Sequence, residues 1–130
     1  MQINVEFNFH LLGTMMILEL EKKANAGDPE AELELSRAYL QGGDVSQKTR
    51  GLELLQKAAD QGLAQAQFLM GERAYADWDY VKAYMWYELA LRGGYKQSKK
   101  MLKEMAPKMS PEQLSDARNR ADNWPNSPAK

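Results

Sequence analysis

The chain has 130 residues, of which 44% are hydrophobic and 27% charged, with a net charge of −1 and no cysteine. A domain of this size buries enough surface to fold without a staple, and a chain without thiols has no disulfides, iron–sulfur clusters or thiol catalysis. The near-neutral balance supplies no bulk drive toward nucleic acid or an anionic membrane.

The first residues, Met1 to Glu6, lack the basic segment of an export signal, and Glu6 and His10 interrupt the place of its apolar core. The longest clean apolar run, Met15–Leu18, is far too short to span a bilayer. The expectation is a soluble chain, cytoplasmic as given, with a periplasmic location left open. An amphipathic helix is predicted from about Leu11 to Ala26.

Three glycines, Gly27, Gly62 and Gly94, then recur at steps of 35 and 32 residues. Small residues follow each at the fourth position (Ala31, Ala66, Ser98) and apolar ones at the eighth (Leu35, Met70, Leu102). Such a period marks stacked helix pairs, none of which can bury its apolar face alone. The first pair begins with Asp28 as N-cap and Pro29 at the first helical position, where its missing N–H costs nothing. Its helices are predicted over about 29–41 and 47–61, and those of the second pair over about 63–76 and 79–92. The shorter second unit is attributed to a tighter link, Ala76–Asp79, than Gly42–Ser46.

A third first-helix is expected from Tyr95 to about Ala106, closed by Pro107. Ser110-Pro111-Glu112-Gln113 is a capping box opening a last helix with Leu114, Ala117, Ala121 and Trp124 on one face. The organisation predicted is an N-terminal segment and capping helix (1–26), repeat one (27–61) and repeat two (62–93). A partial third repeat with a C-terminal cap (94–124) and a disordered tail (125–130) follow.

The patterns Ala66…Met70-Gly71…Ala74-Tyr75 and Lys82-Ala83-Tyr84-Met85-Trp86-Tyr87-Glu88-Leu89-Ala90 resemble the Sel-one-like repeat (SLR) family, a branch of the tetratricopeptide-like solenoids. The resemblance covers about residues 18–124. Repeat one departs from it at Leu54-Leu55, where Trp-Tyr is usual, and at Ser36 in place of glycine. It implies an all-α, right-handed α-solenoid of helix pairs and adaptor, scaffold or chaperone-like roles, with no shared catalytic residues.

The chemistry in the sequence agrees with a non-enzymatic reading. His10 is the sole histidine, so no triad or two-histidine metal site can form, and it reads as an ordinary surface or packing residue. Carboxylates such as Glu30, Glu32, Glu34, Glu72 and Asp77 read as a solvated helix face. Lys96, Lys99, Lys100, Lys103 and Lys108 form a basic strip. No cofactor or metal is expected.

The predicted partner is another protein or peptide, lying along the first helices on a concave face. Helix projection selects Arg37 and Gln41, with Leu33 beside them. It also selects Phe68, Leu69, Glu72 and Tyr75 in repeat two, and Lys100 and Glu104 in the third unit. An adaptor or scaffold is the primary expectation. An inhibitor or immunity-type protein that blocks an effector enzyme is the alternative, and self-assembly, including a homodimer, is another.

Overall fold

The structure, a computed structural model, describes residues 2–125 and Ser127, with helical backbone alone for residues 2–10. His10 and most of the predicted tail therefore lie outside the described side chains. The described residues are helical, in the order α1 (Gln2–Asn25), α2 (Pro29–Gly42), α3 (Val45–Asp60), α4 (Ala64–Ala76), α5 (Tyr80–Arg92), α6 (Ser98–Met105), a 3₁₀ turn (Ala106–Lys108) and α7 (Pro111–Asp122). They form two compact units, Met1–Leu54 and Leu55–Lys130.

In the first unit α1 packs on α2. Asp28 opens α2 by accepting from the N–H groups of Glu30 and Ala31. Ala24, Ala31, Leu35 and Leu54 make the buried centre, flanked by Ile17, Leu20 and Tyr39. Small residues let backbones approach: at Gly51 on α3 a Cβ would lie only 3.1 Å from Leu40 Cγ and 3.2 Å from the Ser36 carbonyl oxygen, tighter than an ordinary contact. Glu21 accepts from the Tyr39 hydroxyl and, at 3.3 Å, from Arg50. Burial, then the neighbouring Glu21, pushes the Tyr39 phenol above its ordinary pKa.

The link between α2 and α3 is shorter than the sequence suggested. Asp44 and Gln47 exchange two hydrogen bonds, Gln47 N–H to Asp44 Oδ1 at 2.9 Å and Asp44 N–H to Gln47 Oε1 at 3.0 Å. This reciprocal cap starts the helix at Val45 and absorbs the predicted loop. The longer first repeat is therefore longer in helix, since α3 has 16 residues against 13 in α5. The link itself is not the source of the difference.

In the second unit α5 is the central element, packed against α4, α6 and α7. Its Trp86, Tyr87, Leu89 and Ala90 are almost fully buried. Tyr87 lies over Gly71 of α4, where a Cβ would come within 2.8 Å of its ring. Gln67 ties α4 back to α3 by donating to the Ala59 carbonyl at 3.2 Å.

Helix α6 begins at Ser98, later than expected, because the Tyr95 N–H closes α5 by donating to Ala90. Pro107 does not stop the chain at once but sits in the 3₁₀ turn. The capping box of α7 is present as read: Gln113 N–H donates to Ser110 Oγ, and Ser110 N–H to Gln113 Oε1. Ala117 and Ala121 bury the inner side of α7. Trp124 lies just past its end and meets Trp86 edge-on, with centroids 4.8 Å apart. Arg92, its side chain 5% exposed, pairs with Glu88 and with Asp122 at 2.6 Å. It also donates to Ser127 Oγ, so this residue of the expected loose tail is held.

Candidate partner-binding site

The residues selected from sequence fall into three groups. Arg37 and Gln41 lie one turn apart on α2 of the first unit and are exposed, whereas Leu33 on the same helix is buried at 3%. On α4 of the second unit Glu72 is exposed, and Leu69 and Tyr75 are half-buried. Phe68 is a packing residue, since its ring stands 4.8 Å from Tyr95 and 5.3 Å from Tyr87. It is half-buried, as Leu69 and Tyr75 are. Lys100 and Glu104 are exposed one turn apart on α6.

Around Tyr75 the second unit gathers side chains from three elements. Tyr75 of α4 stacks on Tyr80 of α5 at 5.4 Å, and Trp78, in the turn between them, lies 6.1 Å from Tyr80. Lys108 Nζ donates to the Tyr75 hydroxyl at 2.9 Å and stands 5.5 Å from its ring centre. That bond holds the Lys108 ammonium above its ordinary pKa, with Glu104 adding a smaller push in the same direction. Behind this surface, burial and then Glu72 and Tyr75 push the Tyr87 phenol up to about 12.

Trp78 sets this turn apart. Helices α1, α3 and α5 end in the same way, with the stop residue and its successor donating back to the last turn. The pairs are Gly27 to Ala24 with Asp28 to Lys23, Gly62 to Ala59 with Leu63 to Ala58, and Gly94 to Leu91 with Tyr95 to Ala90. This arrangement places the stop residue in the left-handed region, where glycine carries no Cβ penalty. The three glycines have φ of 90°, 94° and 97°. Helix α4 ends with the same two bonds, Trp78 to Tyr75 and Asp79 to Ala74. Its stop residue is a tryptophan at φ 62°, 80% exposed. A side chain there costs roughly 1–2 kcal/mol, and in water an exposed indole recovers little of it.

Sequence reasoning read this turn only as a tight link, passed over Trp78 and Tyr80, and placed Lys108 only in a basic strip. A signal was present: three aromatics within six residues, straddling a helix stop that is glycine at the other three places. Asp79 is occupied in capping α5 through the Lys82 N–H. Among the described residues no three carboxylates or imidazoles gather as metal ligands would, and no helix is long and apolar enough to cross a membrane.

The model of the Sel1 repeat matches residues 29–63 and 64–95, together more than half of the chain. The chain belongs to the Sel1 repeat family. Chains of this family are in general non-catalytic interaction scaffolds. The fold is similar to the crystal structure of a protective antigen present in uropathogenic Escherichia coli strains, which displays an SLR fold. The TM-score is 0.74 at 26% identity, covering 85% of this chain and 25% of that one. This Sel1 repeat chain thus spans about a quarter of that relative's length. No curated protein matches it. The all-α repeat solenoid expected from the sequence is the architecture of the family and of this structure.

Proposed function

We propose that this chain is an adaptor that docks a segment of a partner protein on the aromatic surface formed by Tyr75, Trp78 and Tyr80, with Lys108 at its edge. The observation that carries the reading is Trp78, held at φ 62° and 80% exposed where glycine serves the three helix stops built the same way. A conformational cost retained at an exposed aromatic is accounted for by a use outside the fold. Tryptophan and tyrosine are also the residues that most often dominate binding energy at interfaces. Leu69, Glu72, Lys100 and Glu104, on the neighbouring helices of the same unit, form the rim of this reading. The Sel1 repeat, a module of protein–protein interaction, supports it.

The test is affinity capture from the native organism with the wild-type chain and with Trp78→Ala, followed by titration of the purified pair. A partner that binds one-to-one and loses roughly tenfold or more in affinity on Trp78→Ala is expected, at least 1.4 kcal/mol. A partner whose affinity ignores Trp78, Tyr75 and Tyr80 alike removes this surface from the account.

A further inference from the structure

We infer a second interaction surface, the lysine stripe on α6, whose occupant is an acidic segment of a partner protein. Lys99, Lys100 and Lys103 lie on α6 and Lys96 in the turn before it, and all four are exposed. The Lys99 N–H donates to the Lys96 carbonyl at 3.1 Å, so the turn leads Lys96 into the same winding. Steps of three, one and three residues put the four on one face. The opposite face, Ser98, Leu102 and Met105, is buried.

This arrangement works against the helix that carries it. Lys99 and Lys103 stand four residues apart and Lys100 and Lys103 three, spacings at which like charges repel. Lys99 and Lys100 also lie in the first turn, where the helix dipole disfavours a cation, and that turn holds no acid. Among the described residues no carboxylate comes within ion-pair distance of any of the four. Elsewhere lysines alternate with acids: Glu19 and Glu21 precede Lys22 and Lys23 on α1, and Glu53 and Asp60 flank Lys57 on α3. A row of cations that weakens its own helix is relieved by anions from outside.

The charges say what the occupant carries, and the surroundings say what kind of molecule it is. The stripe is about 10 Å long, matching roughly three or four residues of extended chain. A nucleic acid is drawn by the field of a whole basic domain, whereas the net charge of this chain is −1. Helix α6 also carries no aromatic residue on which a base could stack. A membrane-surface helix lays apolar residues into the lipid, and Leu102 and Met105 of α6 are spent on the core. Carboxylates on a flexible segment need only mobile point charges, which lysines supply.

Lys100 is shared with the rim of the Trp78 surface. Octaglutamate has no apolar anchor for that surface, so its binding reads the stripe alone, and either surface can fail without the other. The experiment is fluorescence anisotropy of labelled octaglutamate titrated with the full chain, with far-UV circular dichroism on every variant. Binding is expected at low salt and should weaken about tenfold or more between roughly 0.05 and 0.5 M salt, as screening shortens the reach of the lysines. Lys96→Gln, Lys99→Gln, Lys100→Gln and Lys103→Gln combined in one chain should weaken it about tenfold or more. Lys22→Gln, Lys23→Gln, Lys48→Gln and Lys57→Gln combined remove equal charge elsewhere and should leave binding within about twofold. The stripe variant should unfold at a temperature no lower than the wild type, because the repulsion within α6 is gone. An octaglutamate that does not bind, an equal loss from the two sets of substitutions, or a less stable stripe variant overturns the proposal. So does an oligothymidylate of equal charge, or a phosphatidylserine vesicle, bound more tightly than octaglutamate.

Discussion

The two turns that bracket α4 solve one geometric problem with opposite residues. Gly62 before it and Trp78 after it make the same pair of backward hydrogen bonds and the same left-handed backbone. Gly62 meets nothing within 4 Å of where its Cβ would be, so glycine is there for backbone freedom alone. Trp78 gives up that freedom and offers an indole to water. The fold needs a helix stop at both places and needs a tryptophan at neither. What differs between the turns is the exposed indole on which the proposed docking surface rests.

Substitutions can break or sharpen that contrast. The largest effect is expected within α4 itself: Gly71→Ala would drive a methyl to 2.8 Å from the Tyr87 ring and should cost about 1–3 kcal/mol in chemical denaturation. A neutral Gly71→Ala would mean that α4 and α5 are not locked together, and the two turns would not be fixed points to compare. Gly62→Ala, which adds no contact, should cost roughly 1–2 kcal/mol from backbone conformation alone. If it costs nothing, the left-handed position is free and Trp78 needs no explanation. Removing the reciprocal cap of α7 by Ser110→Ala should cost about 1 kcal/mol and leave partner binding through Trp78 intact.

The smallest effect concerns pH. The Tyr87 hydroxyl is buried without a hydrogen-bond partner, and its phenol titrates near 12 in the folded chain. A folded pKa above the unfolded value of about 10 means that its neutral form favours folding below pH 10. That contribution is lost as pH rises through about 12. Tyr87→Phe should be as stable as the wild type or slightly more so at neutral pH. It should also show a flatter decline in stability between pH 10 and 12, readable by denaturant midpoints across that window.

Much of the architecture was legible because local rules decide it. Asp28-Pro29 and Ser110 with Gln113 declare helix starts through the backbone donors they satisfy, and the glycine period declares the repeat. Asp44 with Gln47 follows the same rule, but Gly42-Gly43 drew attention to a loop and hid the cap. The site was less legible for a different reason. Phe68 and Tyr75 both project from α4 as apolar positions beside a polar face, and nothing local separates them. Both are half-buried: Phe68 meets the rings of Tyr95 and Tyr87, while Tyr75 accepts from the exposed Lys108. Leu33 was misjudged in the same way: its burial is decided by packing, which projection of a single helix omits. Arg37 and Gln41 are exposed as expected.

The most direct test compares Trp78→Gly with Trp78→Ala, because the two variants remove the same indole and differ only in the backbone they prefer. Glycine at this turn should be the more stable by about 1 kcal/mol in equilibrium unfolding, and both should lose the partner that the wild type binds. A Trp78→Gly chain that is less stable than Trp78→Ala, or that still holds the partner at wild-type affinity, would contradict the claim that this turn trades stability for adhesion.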